Sequence, residues 1–186
     1  MFVVRKLYYI LFDLIQTLVI AGAIFVVIYA FLFRPYQVNG LSMYPNFENG
    51  EYVLTNLTIK RFGEFKKGDV IVFHSPVEKN KDFIKRIIAT EGDTISVNEG
   101  NYYLNGKLLK EDYLPPNYVT NGGSFLPEGT QVRVPEEQFF VSGDNRSNSS
   151  DSREWGFVSK DEIIGKSFFV YWPLNRLRVV EHAEIN

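Results

Sequence analysis

A long uncharged stretch near the amino terminus constrains this chain more than any other feature. No acidic or basic side chain occurs between Asp13 and Arg34. The run Leu14–Phe33 is therefore 20 residues long, and its only strongly polar members are Gln16 and Thr17, near one end. A helix of this length spans about 30 Å, the thickness of the hydrocarbon core of a bilayer. The pattern therefore predicts a transmembrane helix over residues 14–33.

Two other structures contain apolar runs of this kind, namely a buried globular helix and a cleavable secretory signal. The apolar core of a secretory signal is usually about 7–15 residues long and is followed by small residues. Here the apolar core is longer, and it continues into the bulky sequence FLFRPY at residues 31–36, in which Pro35 stops the helix. These features favour an uncleaved anchor, and so a lipid bilayer as a partner.

Flanking charge predicts how the anchor is oriented. Arg5, Lys6 and the amino terminus precede the helix, whereas only Arg34 lies immediately beyond it. Because positive charge favours the cytoplasmic side, we expect a single-pass protein of the cell membrane whose amino terminus is cytoplasmic. The expected segments are a cytoplasmic tail and helix start at 1–13, the anchor at 14–33, and an extracytoplasmic domain on the outer face at 34–186.

Composition excludes several classes of function. The 20 basic and 22 acidic residues give a formal net charge of −2, which excludes a polybasic nucleic-acid binder. The chain contains no cysteine, so it has no disulfide, thiol nucleophile or cysteine-ligated metal. His74 and His182 are its only histidines, and no HExxH motif occurs, so a histidine-rich metal site is not expected. We therefore expect neither a metal nor a cofactor.

The pattern beyond the anchor predicts an all-β domain of antiparallel sheets. Short runs of β-branched and aromatic residues are broken by Gly, Asn and Pro, without a long stretch of 3.6-residue periodicity. Turn residues at 98–100 and 105–106 make residues 94–109 a meander of tight hairpins. The predicted strands are 36–38, 51–55, 69–74, 82–90, 94–98, 102–104, 107–108, 138–142 and 166–172.

Two segments outside these strands have a different character. The segment 111–137 is rich in Pro and Gly, which predicts a loop-rich excursion from the sheet. Ser159 can cap a short helix at 159–163, because Asp161 and Glu162 suit the positive end of such a helix.

The first of three polar segments that can carry chemistry follows the membrane exit. In the sequence GLSMYP at residues 40–45, Ser42 lies on a bend set by Gly40 and Pro45. A serine between glycine and proline is usually only a turn residue. Alone, this segment indicates a nucleophile only weakly.

The second segment is an apolar strand with two adjacent cations, FIKRIIATEGD, which begins at Phe83. Strand alternation places Lys85 and Arg86 on opposite faces. The face of Lys85 also carries Phe83, Ile87 and Ala89. Charges on an edge strand commonly prevent aggregation. The functional alternative is that a desolvated lysine, whose pKa is ordinarily about 10.4, becomes a neutral amine that accepts a proton.

The third segment, GDNRSNSSDSREWG at residues 143–156, follows the strand 138–142. Its polar composition is typical of a solvated loop. Its acids and arginines alternate at short spacing, however, which favours a rigid loop held by internal ion pairs and hydroxyl hydrogen bonds.

Together, these segments resemble motifs of the bacterial type I signal peptidases, the membrane-anchored serine proteases that remove leader peptides from exported proteins. The anchor is followed in the family's order by GxSMxP, KRxIAxxGD and GDNRxNSxDSRxWG. The short chain with one anchor resembles the compact Gram-positive form, and the mitochondrial inner-membrane peptidases are similar in size and motif. The resemblance implies a signal-peptidase-like Ser–Lys protease fold, an acyl-enzyme, and secretory pre-proteins cut after small residues of Ala-x-Ala type.

The resemblance also implies roles for individual residues. The backbone N–H of Ser42 would donate to the tetrahedral oxyanion. The implied side-chain roles are Ser42 as nucleophile, Lys85 as general base, Ser149 as the hydroxyl that orients the lysine, Asp144 and Asp151 as partners of Arg86 and Arg153, and Met43 and Ile84 as walls of the small substrate pockets.

Two positions depart from the family pattern. Gly40 stands where Gram-negative relatives carry a serine whose hydroxyl completes the oxyanion hole, and Asn46 stands where the family usually has threonine. Neither departure removes Ser42 or Lys85. The alternative functions are a non-catalytic signal-peptidase-like assembly factor for surface structures, of a type that lacks a dyad member, and an anchored β-domain whose motifs coincide by chance.

Overall fold

The structure, a computed structural model, describes residues 2–116 and 118–185. Met1, Asn117 and Asn186 belong to segments expected above and lie outside the described ranges. Within those ranges, one long N-terminal helix is followed by two antiparallel sheets. The prediction of an all-β domain preceded by one apolar helix is therefore confirmed.

Helix α1 (Phe2–Leu32) is longer than the predicted anchor at its N-terminal end. The stretch Arg5–Tyr29 is long and apolar enough to cross a membrane, and none of it is buried against the rest of the chain. The helix ends one residue earlier than predicted because Phe33 already belongs to a strand. A helix with this exposed apolar surface needs a covering environment such as lipid.

The described residues form twelve strands in two sheets. The strands are β1 (Phe33–Gln37), β2 (Tyr52–Asn56), β3 (Val70–His74), β4 (Asp82–Ala89), β5 (Thr94–Asn98), β6 (Asn101–Leu104), β7 (Lys107–Leu108), β8 (Gln131–Arg133), β9 (Gln138–Ser142), β10 (Val158–Ser159), β11 (Ile163–Trp172) and β12 (Arg178–Val179). The larger sheet has the order β1-β2-β11-β3-β4-β9-β10, with β12 paired to β11, and the smaller has the order β7-β6-β5-β8. The short helices are α2 (Ile59–Phe62), α3 (Ser152–Trp155) and the 3-10 turns Arg146–Asn148, Lys160–Glu162 and Leu174–Arg176.

Every predicted strand is present, with ends that differ by up to three residues. Strands β8, β10 and β12 were not predicted, because alternation is not visible in two or three residues. The equally short β7 was predicted from the turn at 105–106. Strand β8 corrects the expectation that 111–137 is loop-rich throughout, since it pairs with β5 and Val132 packs on the core. The predicted helix at 159–163 is a 3-10 turn at Lys160–Glu162, and Ser159 and Glu162 form a capping box at its start.

Strand β4 contributes to apolar clusters on both of its faces. Ile87 packs in a cluster with Phe73, whereas Ile88 and Ala89 both pack in the cluster of the smaller sheet. The pairing of β4 with β9 shifts register between Ile87 and Ala89, and such a bulge breaks simple alternation. The face predicted for Lys85 therefore continues only as far as Ile87, and Ala89 lies on the other side.

Candidate active site

The three polar segments of the sequence lie together in the fold. Lys85 lies in β4, and its Nζ is 2.8 Å from Ser42 Oγ in the turn that follows β1. The loop after β9 reaches the same turn, where the backbone N–H of Asn145 donates to the Ser42 carbonyl at 3.0 Å. Residues that are distant in the chain therefore form one site.

The turn that carries Ser42 depends on a left-handed backbone at Gly40. Gly40 has a φ of 97°, a conformation that favours glycine, and its N–H donates to Asn49 Oδ1 at 2.7 Å. Further along the turn, the Phe47 N–H donates to the Met43 carbonyl at 2.9 Å. Ser42 is left half-buried at the wall of a cleft. The positive φ that the turn requires at position 40 therefore favours glycine there.

Lys85 is 4% exposed, so its amine is buried beside Ser42. Its Nζ donates to Ser42 Oγ and, at 3.0 Å, to the Ile84 carbonyl. Burial lowers the pKa of Lys85 to about 8, while the charges of Asp151 and Asp144 oppose this shift. In mildly alkaline solution much of the amine is therefore neutral, and a neutral amine at this distance is able to accept a hydroxyl proton.

The expected hydrogen bond between Ser149 and Lys85 is absent, which corrects the predicted contact. The amine is already bound to Ser42 and to its own strand. The Ser149 hydroxyl is buried without a hydrogen-bond partner among the described residues. It lies against Gly143, where an added Cβ would be 2.2 Å from Ser149 Oγ and 2.4 Å from the Ser42 carbonyl oxygen. Gly143 therefore lets the loop after β9 pack directly on the turn that carries Ser42.

Arg86 and Asp144 form the expected pair, and both are buried. Nε and Nη2 of Arg86 donate to the two carboxylate oxygens at 2.9 and 2.8 Å, and Nη1 donates to the Gly68 carbonyl at 2.9 Å. Asn46 Nδ2 donates to the same carboxylate at 2.9 Å. The asparagine that departs from the family pattern is therefore part of this network. The pair joins β4, next to Lys85, to the loop after β9.

Asp151 and Arg153 also pair as expected. Nε and Nη2 of Arg153 donate to the carboxylate oxygens at 2.8 and 2.9 Å. Asp151 accepts two further hydrogen bonds, from the Gly143 N–H at 3.0 Å and the Ser142 hydroxyl at 3.1 Å. Burial alone would raise the pKa of Asp151, but the hydrogen bonds and charge of Arg153 hold it below its ordinary value. The charged carboxylate also caps α3 by accepting from the Arg153 N–H at 3.2 Å.

Sequence reasoning missed a second buried arginine in this loop. Arg146 is 2% exposed and pairs with Glu111 through Nη1 at 2.7 Å. It also donates to Thr120 Oγ1 at 2.7 Å and to the Tyr113 hydroxyl at 3.0 Å. All three partners come from the segment expected to be a loop-rich excursion. The signal in the sequence was that both aspartates of the motif already have arginine partners, so Arg146 needs an acid from elsewhere.

A cleft of about 200 Å³ lies beside Ser42 and Lys85. Its walls include Ile84, as expected, together with Val38. Met43 does not line it, which corrects the predicted role of this residue as a pocket wall. Met43 is 1% exposed and packs in a core cluster with Val38, because the turn directs the residue after the nucleophile inward.

One side of β4 is open next to this cleft. Strand β3 pairs with β4 from Asp82 to Arg86, whereas β9 pairs with it only from Arg86 to Ala89. In the part of the chain that the structure describes, the backbone from Asp82 to Lys85 is therefore unpaired on its second side. An extended peptide can add to such an edge as a further strand.

The two histidines contact aspartates and not Ser42. Nδ1 of His74 is 2.8 Å from Asp82 Oδ1, and Nδ1 of His182 is 2.8 Å from Asp69 Oδ1. Across residues 2–116 and 118–185 no group of three His, Cys, Asp or Glu side chains is placed to hold a metal ion. The basic group that contacts Ser42 is therefore a lysine amine.

Comparison with known proteins identifies the family of this chain. The family model of signal peptidase, peptidase S26, matches residues 11–172. A signal peptidase I of Bacillus licheniformis is 39% identical over 176 residues, which cover 90% of this chain and 92% of that protein. Signal peptidase IB of Staphylococcus aureus is 33% identical over 179 residues, which cover 90% of this chain and 93% of that protein. A crystal structure of a signal peptidase I from Enterococcus faecalis is 30% identical, with a TM-score of 0.47, and covers 55% of this chain and 96% of that chain.

The matched residues include α1 from residue 11 onward, the Ser42 turn, β4 and the loop after β9. The resemblance to the type I signal peptidases in their Gram-positive form, inferred from three motifs, is confirmed by relatives that match along nearly their whole length. The chain therefore belongs to the signal peptidase family, peptidase S26, and is a serine protease of the Gram-positive type of bacterial signal peptidase I.

Proposed function

We propose that this chain is a membrane-bound endopeptidase that removes N-terminal signal peptides from exported pre-proteins, with Ser42 as nucleophile and Lys85 as general base. The observation that carries the proposal is the 2.8 Å contact between Ser42 Oγ and the buried Lys85 Nζ. A hydroxyl becomes a useful nucleophile when an adjacent base of matched pKa takes its proton. The relatives bear the name signal peptidase I, which supports the same activity here.

Acylation begins with Lys85 as a neutral amine. The amine accepts the Ser42 hydroxyl proton while Oγ attacks the carbonyl carbon of the peptide bond to be cut. The carbonyl oxygen becomes an oxyanion, which accepts a hydrogen bond from the Ser42 backbone N–H. The Lys85 ammonium then gives its proton to the leaving nitrogen as the C–N bond breaks. The carboxyl end of the signal peptide is left as an ester on Ser42.

Deacylation uses the same two side chains in the same roles. Lys85, neutral again, accepts a proton from a water molecule that attacks the ester carbon. The second tetrahedral intermediate collapses as the C–O bond to Ser42 breaks, and the lysine returns the proton to Oγ. One base thus serves both half-reactions, as the histidine does in a Ser–His–Asp triad.

The cleft beside the dyad can receive side chains of a bound substrate. Val38 and Ile84 in its walls make part of its lining apolar. A substrate paired along the open side of β4 at Asp82–Ile84 is extended, so its alternate side chains share one face. The first and third residues before the cut then face the cleft, and the resemblance to the signal peptidases implies that both are small, as in Ala-x-Ala sequences.

The direct test of this function is cleavage of a pre-protein by the full-length protein in detergent. A pre-protein with an Ala-x-Ala site should be cut once, after the second alanine. A matched pre-protein with phenylalanine at both of those positions should stay intact. If the folded protein cuts neither, the non-catalytic assembly factor becomes the better account of the chain.

The rate of cleavage is expected to rise with pH through about 8 and then to level off, because only the neutral Lys85 amine accepts the serine proton. Below this pKa the ammonium form predominates, so kcat/KM should fall about tenfold for each unit of pH. A pH profile of kcat/KM on a soluble peptide measures the midpoint. A rate that still climbs beyond about pH 10 would indicate an amine with the pKa of an exposed lysine.

Gly143→Ala is expected to lower kcat/KM by about 10- to 100-fold, because a small misplacement of a reacting group has effects of that size. The added Cβ would lie 2.4 Å from the Ser42 carbonyl oxygen, so the loop or the nucleophile's turn must move. Gly22→Ala is a suitable control, since a Cβ at Gly22 meets nothing within 4 Å. Equal activities of the two variants would show that the loop tolerates a Cβ at this point.

We further propose that α1 holds the chain in the cell membrane with a cytoplasmic amino terminus and the domain 34–186 outside. The family is membrane-anchored, and Arg5 and Lys6 precede the apolar stretch of α1. Only the segment 33–41 separates the end of α1 from Ser42, so the dyad works near the membrane surface. A leader peptide in the bilayer presents its cut site at that surface, and sharing the surface raises the effective concentration of enzyme and substrate.

Deletion of residues 1–32, which leaves β1 intact, is therefore expected to have unequal effects on two substrates. Cleavage of a membrane-inserted pre-protein should fall by at least about tenfold more than cleavage of a soluble peptide, because only the first substrate shares a surface with the anchored enzyme. Both rates are measured in lipid vesicles. Equal losses on the two substrates would mean that α1 supports the fold of the domain instead.

A further inference from the structure

Asn145 holds two successive carbonyl groups of the nucleophile's turn. Its side-chain Nδ2 donates to the Leu41 carbonyl at 3.0 Å, and its backbone N–H donates to the Ser42 carbonyl at 3.0 Å. Asn145 itself is half-buried where the loop after β9 meets the turn that carries Ser42. One residue of the loop after β9 therefore fixes the orientation of the two peptide groups around Ser42.

The Leu41 carbonyl and the Ser42 N–H belong to the same peptide group. This peptide bond is trans, so the carbonyl and the N–H lie in one plane and point in opposite directions. A donor that fixes the carbonyl therefore fixes the direction of the N–H. Nothing in residues 2–116 and 118–185 accepts a hydrogen bond from the Ser42 N–H, which leaves it available to a substrate.

Two hydroxyl groups determine which way the Asn145 amide faces. Tyr118 OH donates to Asn145 Oδ1 at 3.3 Å, and Ser147 Oγ donates to the same oxygen at 3.2 Å. The NH₂ group is thereby directed to the Leu41 carbonyl, because an oxygen in its place would face another acceptor. Both the oxygen and the nitrogen of the amide are thus hydrogen-bonded.

The direction of the Ser42 N–H has a large influence in this chain because Gly40 supplies no side-chain donor. A preorganised donor stabilises an oxyanion only when it already points at the position that the charged oxygen will occupy. A peptide group that is free to tilt would lose part of this stabilisation in every catalytic cycle. A clamp on the Leu41 carbonyl prevents that tilt.

We propose that Asn145 is a positioning residue that aims the Ser42 N–H at the oxyanion, an inference that rests on the proposed Ser42–Lys85 chemistry. Among the described residues, Asn145 has no hydrogen bond to Ser42 Oγ or Lys85 Nζ, and it acts through the Leu41–Ser42 peptide group. Its contribution is therefore made in the tetrahedral states and not in the bound ground state.

The test compares the full-length parent protein with Asn145→Ala and Asn145→Asp. Aspartate keeps the shape of the side chain but presents an oxygen to the Leu41 carbonyl, and both variants keep the backbone N–H that binds Ser42. We expect kcat to fall about 10- to 100-fold in both variants, with KM changed by less than about threefold, because the lost interaction is made only in the transition state. The midpoint of the pH profile should not move in Asn145→Ala, which leaves Lys85 untouched and adds no charge beside it.

A pair of inhibitors separates the tetrahedral state from the ground state. A peptide aldehyde adds Ser42 Oγ to its carbonyl carbon, the serine proton passes to Lys85, and the adduct carries the oxyanion. The corresponding peptide alcohol forms no adduct and reports ground-state binding. Affinity for the aldehyde should fall by the same factor as kcat, whereas affinity for the alcohol should stay within about threefold of the parent value.

Asn101→Asp is the matched control. Asn101 Nδ2 donates to the Glu99 carbonyl at 2.8 Å in the hairpin between β5 and β6. The control therefore loses the same kind of hydrogen bond and gains the same charge in the other sheet. Its kcat, KM and inhibitor affinities should equal those of the parent.

Three results would overturn the inference. The first is a parent-like kcat and aldehyde affinity in both Asn145 variants, and the second is a parallel loss of aldehyde and alcohol affinity, as a general distortion of the site produces. The third is a shifted pH midpoint in Asn145→Ala, which would mean that Asn145 acts through the lysine. Failure of the proposed function gives a different result, because the parent itself would then not cleave the pre-protein, or Ser42→Ala would still cleave it.

Discussion

Ser42→Ala and Lys85→Ala are each expected to lower cleavage of a pre-protein by roughly 10⁴-fold or more, because the members of a catalytic dyad act as a unit. The two side chains are 2.8 Å apart, so each variant removes one half of the same proton transfer. The double variant should be no worse than either single variant. Single-turnover cleavage assays with the purified full-length proteins measure these losses.

Two further lysine variants make this prediction specific. Lys85→Arg should be as inactive as Lys85→Ala, because a guanidinium group does not release its proton at a usable pH. Lys110→Ala removes an exposed lysine that pairs with Asp112, and it should retain parent activity. If Ser42→Ala or Lys85→Ala keeps a substantial part of the parent rate, the dyad assignment is wrong.

Asp144→Ala is expected to destabilise the domain by about 3–5 kcal/mol, because it leaves the charge of Arg86 buried without a partner. Arg86 and Asp144 are 3% and 0% exposed, so water cannot readily replace the lost carboxylate. Urea unfolding followed by tryptophan fluorescence reports the loss, since Trp155 packs against the core. Cleavage activity should fall as well, because Arg86 adjoins Lys85 in β4 and the pair joins this strand to the loop after β9.

The double variant Arg86→Met, Asp144→Leu tests the cause of this effect. Replacing both charges by apolar groups of similar volume removes the unpaired charge and should recover most of the lost stability. Asp112→Ala, which breaks the exposed pair with Lys110, should change the stability little. If Asp144→Ala costs no more than Asp112→Ala, the buried pair does not hold the site together.

Short-range patterns explain why much of this molecule could be predicted. The apolar run predicted a transmembrane helix, because 20 uncharged residues in a helix match the thickness of a bilayer core, and the structure has a long apolar helix there. Alternation located the strands that are four residues or longer, since the side-chain period of a strand is visible at that length, and the turn at 105–106 located the two-residue β7. The capping sequence at Ser159 likewise predicted a helical turn from chemistry within four residues.

Charge pairing in the site was also accessible from the sequence, although only through the family resemblance. Strand alternation places Arg86 opposite Lys85, but nothing local indicates that its partner is Asp144, 58 residues away in the chain. The motif order supplied that partner. The bulge in β4 was not accessible, because a one-residue shift in pairing leaves no mark on the hydrophobic pattern.

By itself, the sequence determined the anchor, the β-rich class of the domain and the segments that carry the chemistry, because each depends on residues close together in the chain. The tertiary structure alone decided the contacts that make those segments a site. It buried Lys85, turned Met43 into the core and paired Arg146 with Glu111. It also left Ser149 without a bond to the lysine and set Asn145 on the Leu41 carbonyl. The physical reason is that burial and hydrogen-bond partners depend on which distant segments pack together, and no local pattern records that packing.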